Sequence, residues 1–327
     1  MSELFNLIFK TLAGNIFLVV VSFALLYYGA DLLVRGSVTI ATNFGVQKLI
    51  VGMTIVAFGT SMPEFTVSLF AKIRNSTGIS VGNVIGSNIA NIALILGTAA
   101  LIRPLDVHLE VIKVELPLLF AFTVIFNMLC LDGIVSVIDG VILLSIFSGY
   151  MYFRIVRGKK GKEVEVEEVD EIKAGTPKII LLIIIGIVLL VAGSDLLIRG
   201  AVFIAVKFNV NKIVIGLTMV ALGTSLPELF TSVIAAMKGE SDISIGNVIG
   251  SNFFNIFMIL GFIALFGNIQ LTNDVRYLQN WINLGLTLIL FPIMFTGKKI
   301  NRAEGLFFLT FYVVYILNLY FKWFFVS

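Results

Sequence analysis

Two carboxylates, Glu64 and Glu228, stand in the stretches GTSMPE and GTSLPE, each inside an otherwise apolar segment. Glu64 follows Thr60 by four residues and Ser61 by three, and Glu228 stands in the same relation to Thr224 and Ser225. At helical spacing these oxygens share one face. An ionisable group within a bilayer costs several kcal/mol unless it is paired or ion-bound. Two such carboxylates facing one another repel, unless a cation sits between them. The chemistry on offer is the holding of hard cations.

The surrounding residues add neutral oxygens. Ser87 and Asn91, four apart in GNVIGSNIAN, share a helix face, as do Ser251 and Asn255 in GNVIGSNFFN. Pro63 and Pro227 lack a backbone N–H, and Gly59 and Gly223 loosen the chain before them, so the helix is expected to break at both motifs. The carbonyls of Ala57 to Thr60 and of Ala221 to Thr224 are then expected to be free for an ion. Calcium takes six to eight oxygens, whereas magnesium resists dehydration and zinc prefers His or Cys. Sodium shares calcium's size and oxygen preference, so the two ions can compete for the same carboxylates. That competition is the basis of exchange.

Other candidates read as structural. A single histidine, His108, and a single cysteine, Cys130, cannot build a zinc cage or an internal disulfide. Asp31 and Asp195 precede Arg35 and Arg199 by four residues near span ends, a spacing that predicts ion pairs along the helix.

The elements that must position the motifs follow from composition. The chain has 327 residues, 58% hydrophobic and 13% charged, with a mean hydropathy of +1.04. An ordinary soluble domain carries about 25% charged residues. Apolar stretches long enough to cross a bilayer recur along the whole length, so the fold class is all-α integral membrane. The first stretch, from about residue 16 to 34, is too long for a signal-peptide core and is read as retained.

Offsetting the sequence against itself by 164 positions aligns 25–101 with 189–265 without gaps, and 41 of the 77 positions are identical. This is a tandem duplication. Each copy shows five apolar spans: about 14–38, 47–71, 79–102, 111–131 and 134–154, then 178–202, 212–237, 243–267, 275–296 and 302–325. An odd number of spans per copy forces the second to enter from the opposite face. The expected organisation is therefore ten helices in two inverted repeats, 1–155 and 178–327, joined by a charged linker at 156–177. Of the 23 Lys and Arg residues, fifteen fall on the linker's side and eight on the side of the termini. That asymmetry predicts a cytoplasmic linker and both termini outside, in a plasma or inner membrane. The linker reads as a flexible connector.

The paired signatures, GTSMPE with GNVIGSNIAN and GTSLPE with GNVIGSNFFN, resemble the alpha-repeats of the sodium/calcium exchanger family, within the cation/calcium exchanger superfamily. The resemblance covers both halves and is to the prokaryotic type, without a large regulatory domain. It implies that Glu64 and Glu228 bridge the ions and that Thr60 and Thr224 lend carbonyl oxygen to a calcium position. Ser61, Ser87, Ser225 and Ser251, with the carbonyls of Ala57 and Ala221, would complete flanking sodium positions, with Asn91 and Asn255 central. It further implies that the first and sixth spans slide across the other eight. Some relatives carry aspartate where this chain has Asn255, so the centre here has two formal acids rather than three.

The expected activity is antiport of sodium against calcium. The transported ions are the ligands, and no resident cofactor, nucleic acid or obligatory protein partner is implied. The same glutamates could instead carry protons, which makes a proton-coupled exchanger the alternative. A passive channel would dissipate gradients without counter-ion dependence. An intramembrane enzyme is disfavoured, because the sequence has neither an H-E-x-x-H pair nor a nucleophile with a nearby histidine.

Overall fold

The computed structural model describes residues 11–158, 174–208 and 221–321. The first residues of the chain, most of the charged linker, the opening part of the seventh expected span and the last six residues lie outside it.

Among the described residues, eight helices are long and apolar enough to span a membrane: Leu12–Phe44, Thr77–Ile102, Val111–Leu129, Val137–Val156, Thr176–Lys207, Ser241–Ala264, Val275–Phe295 and Arg302–Leu319. A ninth span is the pair Lys48–Thr60 and Met62–Ile73, bent by 45°. Of the seventh expected span, the described part is Ala221–Thr224 followed by Leu226–Met237. The described residues thus show nine spans and the latter part of the expected seventh, Ala221–Met237, and the full count of ten is not shown.

Local chemistry sets the boundaries. Thr11 caps the first helix by accepting the Gly14 N–H at 3.1 Å, and Gly45 ends it in the left-handed conformation at φ 60°. The break in the second span falls at Ser61 (φ −80°, ψ 6°), two residues before Pro63. Proline removes the donor that would have reached the Gly59 carbonyl, so the ladder is interrupted there and restarts with Phe65 N–H donating to the Ser61 carbonyl at 3.1 Å. The second motif repeats this, with Ser225 at φ −89°, ψ 7° and Leu229 N–H donating to its carbonyl at 3.0 Å.

The first and sixth helices pack against each other along most of their length. A Cβ at Gly29 would lie 2.9 Å from both the Gly186 carbonyl and the Leu190 nitrogen, while one at Gly193 would lie 3.0 Å from Leu26 and one at Gly200 2.9 Å from Val19. Numbers fall on one helix as they rise on the other, so the pair is antiparallel. Small residues every seventh position let the two backbones touch. This contact already shows the inversion, because the two helices open equivalent halves of the sequence.

The remaining helices form one larger apolar core. Its halves are crossed: Gly97 of the third span packs on Gly305 of the tenth, and Gly261 of the eighth packs on Gly140 of the fifth. Short strand pairs close both ends. β1 (Leu105–Asp106), after the third span, pairs antiparallel with β4 (Lys299–Ile300), after the ninth, and β2 (Ile134–Val135) pairs with β3 (Ile269–Gln270). In a parallel duplication, equivalent loops would share a face; here the loop after the third span meets the loop after the ninth. That is the signature of inverted repeats.

Candidate ion-binding site

Both broken motifs are held at the centre by the third and eighth spans. Asn83 Nδ2 donates to the Glu64 carbonyl at 3.3 Å and to Ser68 Oγ at 2.9 Å. Asn247 makes the same pair of bonds to the Glu228 carbonyl and Ser232 Oγ, at 3.3 and 2.9 Å. Ser68 and Ser80 exchange hydroxyl-to-carbonyl bonds at 3.2 and 2.9 Å, and Ser244 donates to the Ser232 carbonyl at 2.9 Å. These bonds hold the turn that starts each half-helix.

The carboxylates themselves are gripped from the opposite half. Ser61 Oγ donates to Glu228 Oε1 at 3.0 Å, and Ser225 Oγ donates to Glu64 Oε1 at 3.0 Å. Ser87 Oγ also donates to Glu64 Oε1 at 3.3 Å and lies 3.2 Å from Ser225 Oγ. Glu64 and Glu228 are each 1% exposed, and among the described ion pairs neither has a basic partner. Each keeps its second oxygen, Oε2, buried with no hydrogen-bond partner. Asn91 Oδ1, Asn255 Oδ1 and Ser251 Oγ are likewise buried without a partner. Oxygen atoms buried in this way carry a desolvation cost that a bound cation would offset.

The threonines sit at the edge of this cluster. Thr60 Oγ1 lies 3.1 Å from Asn247 Oδ1, and Thr224 Oγ1 lies 3.4 Å from Asn83 Oδ1. The Ala57 carbonyl, expected to be free, accepts the Ser61 N–H at 3.0 Å and has the Thr60 hydroxyl 3.4 Å away. Helical bonding survives at Ala57 because the donor that Pro63 lacks is the one four residues on, facing Gly59. The Gly223 carbonyl, stripped in the same way by Pro227, accepts a hydrogen bond from Ser194 Oγ of the sixth helix. The matching position on the first helix is Ala30, which has no hydroxyl. Ala221 belongs to the described helical segment Ala221–Thr224.

Asn83, Asn247, Ser68, Ser232, Asn88 and Asn252 escaped the sequence reading. The signal was present, since all six are among the identical positions of the 164-residue offset. Wide helical turns also went unforeseen. The third span widens at Asn91–Leu96 and the eighth at Phe254–Leu260, π-helical stretches directly beside the central asparagines. Such turns occur often at functional sites.

Away from the centre, the expected ion pairs form: Arg35 to Asp31 at 3.7 Å and Arg199 to Asp195 at 2.7 Å, with Lys238 also 2.6 Å from Asp31. His108 is exposed and 3.5 Å from Asp242, and Cys130 is a buried free thiol. Two buried charge groupings were not anticipated: Lys48 pairs with Glu240 at 2.8 Å, and a larger cluster surrounds Arg154. Arg154 bridges Glu110 and Glu115 at 2.9 Å each, and Tyr150 Oη donates to Glu115 Oε2 at 2.6 Å.

Comparison with known proteins bears on this arrangement. The family model described as sodium/calcium exchanger protein matches residues 14–156 and 178–321. The chain belongs to the sodium/calcium exchanger family. It is therefore a multi-span membrane transporter rather than an enzyme. It is similar to the sodium/calcium exchanger MaX1 of Methanosarcina acetivorans, 30% identical over 94% of this chain and 99% of that protein. It is 34% identical to the inner membrane protein YrbG of Escherichia coli, over 88% of this chain and 90% of that one. Among solved structures, the sodium-calcium exchanger NCX_Mj soaked with 10 mM Na+ and zero Ca2+ matches at a TM-score of 0.83 and 35% identity, over 94% of this chain and 100% of that chain.

Proposed function

We propose that this exchanger moves calcium out of the cell against an inward flow of sodium, by alternating access to one site in which Glu64 and Glu228 take either ion. The observation that carries the reading is the pair of carboxylates, each held through Oε1 by the other half's serine and each left with a bare Oε2. Neutral oxygens of Asn91, Asn255 and Ser251 supply further ligands without adding charge. The carbonyls of Thr60 and Thr224 add to the calcium position, and Ser61, Ser87, Ser225 and Ser251, with the carbonyls of Ala57 and Ala221, complete the flanking sodium positions. The first and sixth helices, touching through small residues, are the pair that slides.

The repeats 1–155 and 178–327 form the two mirrored units, and the linker 156–177 lies in the cytoplasm with both termini outside. The fifteen-to-eight division of Lys and Arg supports that orientation.

Radiolabelled calcium uptake into proteoliposomes tests the reading. Uptake should require an outward sodium gradient, leave a sodium-free vesicle near background, and vanish in Glu64→Gln and in Glu228→Gln. Full uptake driven by a pH gradient in the absence of sodium would assign protons as the coupling ion instead. Uptake with no counter-ion requirement at all would indicate a channel.

A further inference from the structure

The centre of the molecule is crossed by four asparagines, each at most 1% exposed. Asn91 Nδ2 donates to Asn252 Oδ1 at 2.9 Å, and Asn255 Nδ2 donates to Asn88 Oδ1 at 2.9 Å. Asn88 Nδ2 donates in turn to the main-chain carbonyl of Asn252 at 3.3 Å. The two ends of a carboxamide have nearly the same shape, so its orientation is decided by its partners. Here one partner cannot be reversed. A main-chain carbonyl only accepts, so Asn88 must turn its nitrogen toward Asn252. Its Oδ1 then faces Asn255, which must answer with nitrogen. The Asn255 oxygen is left over, and it is buried without a partner. In the mirrored pair, the Asn91 nitrogen is committed to Asn252 and the Asn91 oxygen is left bare.

The orientation matters to a cation. An amide turned the other way would aim two N–H donors at the place a positive charge must occupy. Asn91 lies one helical turn beyond Ser87, whose hydroxyl touches Glu64, and Asn255 lies one turn beyond Ser251. We propose that Asn88 and Asn252 are positioning residues: they hold Asn255 and Asn91 nitrogen-outward, so that the site meets its ions with two neutral oxygens. The proposal rests on the reading of this cluster as the ion site.

The test is sodium-driven calcium uptake by the full chain in proteoliposomes, with half-saturating calcium and maximal rate measured separately. Groups that orient metal ligands typically cost roughly 10- to 100-fold in affinity when removed. Asn88→Leu removes both the donor and the acceptor at similar volume, and it should raise half-saturating calcium by about that factor with a much smaller change in maximal rate. Adding Asn255→Asp to Asn88→Leu should restore most of the loss, because a carboxylate presents oxygen in either orientation. Asn88→Asp, which keeps an acceptor for the Asn255 amide, should hold half-saturating calcium near the parent value, and it serves as the reading should Asn88→Leu not fold. An unchanged half-saturation in Asn88→Leu, a loss in Asn88→Asp as large as in Asn88→Leu, or an additive loss on adding Asn255→Asp would each overturn the proposal. Glu64→Gln is measured alongside. If it abolishes uptake while the Asn88 variants fail these expectations, only the orientation claim falls; if it transports normally, the ion-site reading falls and takes this proposal with it.

Discussion

Ser61 donates its hydroxyl to Glu228, 167 residues away, rather than to Glu64, three residues along its own helix. Ser225 does the same in reverse, reaching Glu64 across the centre. The break at each motif turns the serine out of line with the half-helix that follows, so its nearest acceptor belongs to the other repeat. Energetic coupling should follow the bond and not the sequence. In a double-mutant cycle on unfolding stability without ions, Ser61→Ala should couple to Glu228→Gln by about 0.5 to 3 kcal/mol and to Glu64→Gln by less. Equal coupling to both glutamates would contradict the crossed arrangement.

Ion binding should also register as stability. A ligand that binds only the folded state at a hundredfold excess over its Kd adds about 2.7 kcal/mol. Thermal melting of the detergent-solubilised protein should therefore shift upward with added calcium. The shift should disappear in Glu64→Gln, whose neutral side chain removes half of the site's formal charge. Magnesium at equal concentration should shift it far less, because magnesium releases its waters reluctantly.

Arg154 should be needed for folding rather than transport. It is 1% exposed and balances Glu110 and Glu115, and Glu115 is itself fully buried. The positions 164 residues further on are Asp274, Gln279 and Asn318, so the second repeat lacks an equivalent charged triad. Arg154→Met leaves the Glu115 carboxylate buried without its cation and should cost about 3 to 5 kcal/mol. Combining it with Glu115→Gln should recover most of that, and thermal melting in detergent reads both.

Two glycines should respond oppositely to alanine. A Cβ at Gly250 would lie 2.5 Å from the Met53 carbonyl oxygen and 2.6 Å from its Cα, where only backbone could move. Overpacking of this kind costs about 1 to 3 kcal/mol. Gly285, inside the helix Asn280–Phe295, has nothing within 4 Å of the same added atom. Alanine there should be neutral or stabilising by up to about 1 kcal/mol through helix propensity. Melting temperatures of the two variants make the comparison.

Much of this arrangement was legible before any coordinates. Hydropathy located the spans, the duplication required their inversion, and proline placed the breaks within a residue or two of Ser61 and Ser225. Charge spacing anticipated the Arg35 and Arg199 pairs. What the sequence could not convey was partnership across the two copies. Helical periodicity places Ser61 and Glu64 on one face, but only the bend at Ser61 sends that hydroxyl to Glu228. The supporting asparagines were hidden for a related reason: Asn83 and Asn247 bond to main-chain carbonyls of the broken helices, and no spacing rule within a single helix reports such contacts. The Arg154 cluster lies outside the aligned 77 positions, so the duplication gave no warning of it.

The glycine contacts between Gly97 and Gly305, and between Gly140 and Gly261, mean that each copy surrenders its last helix to the other. A protomer split within 159–173 would still be woven together by those embraces and by both strand clasps. During synthesis the opposite holds: the first copy reaches the bilayer with the flank of its third span bare, waiting on a helix made some two hundred residues later.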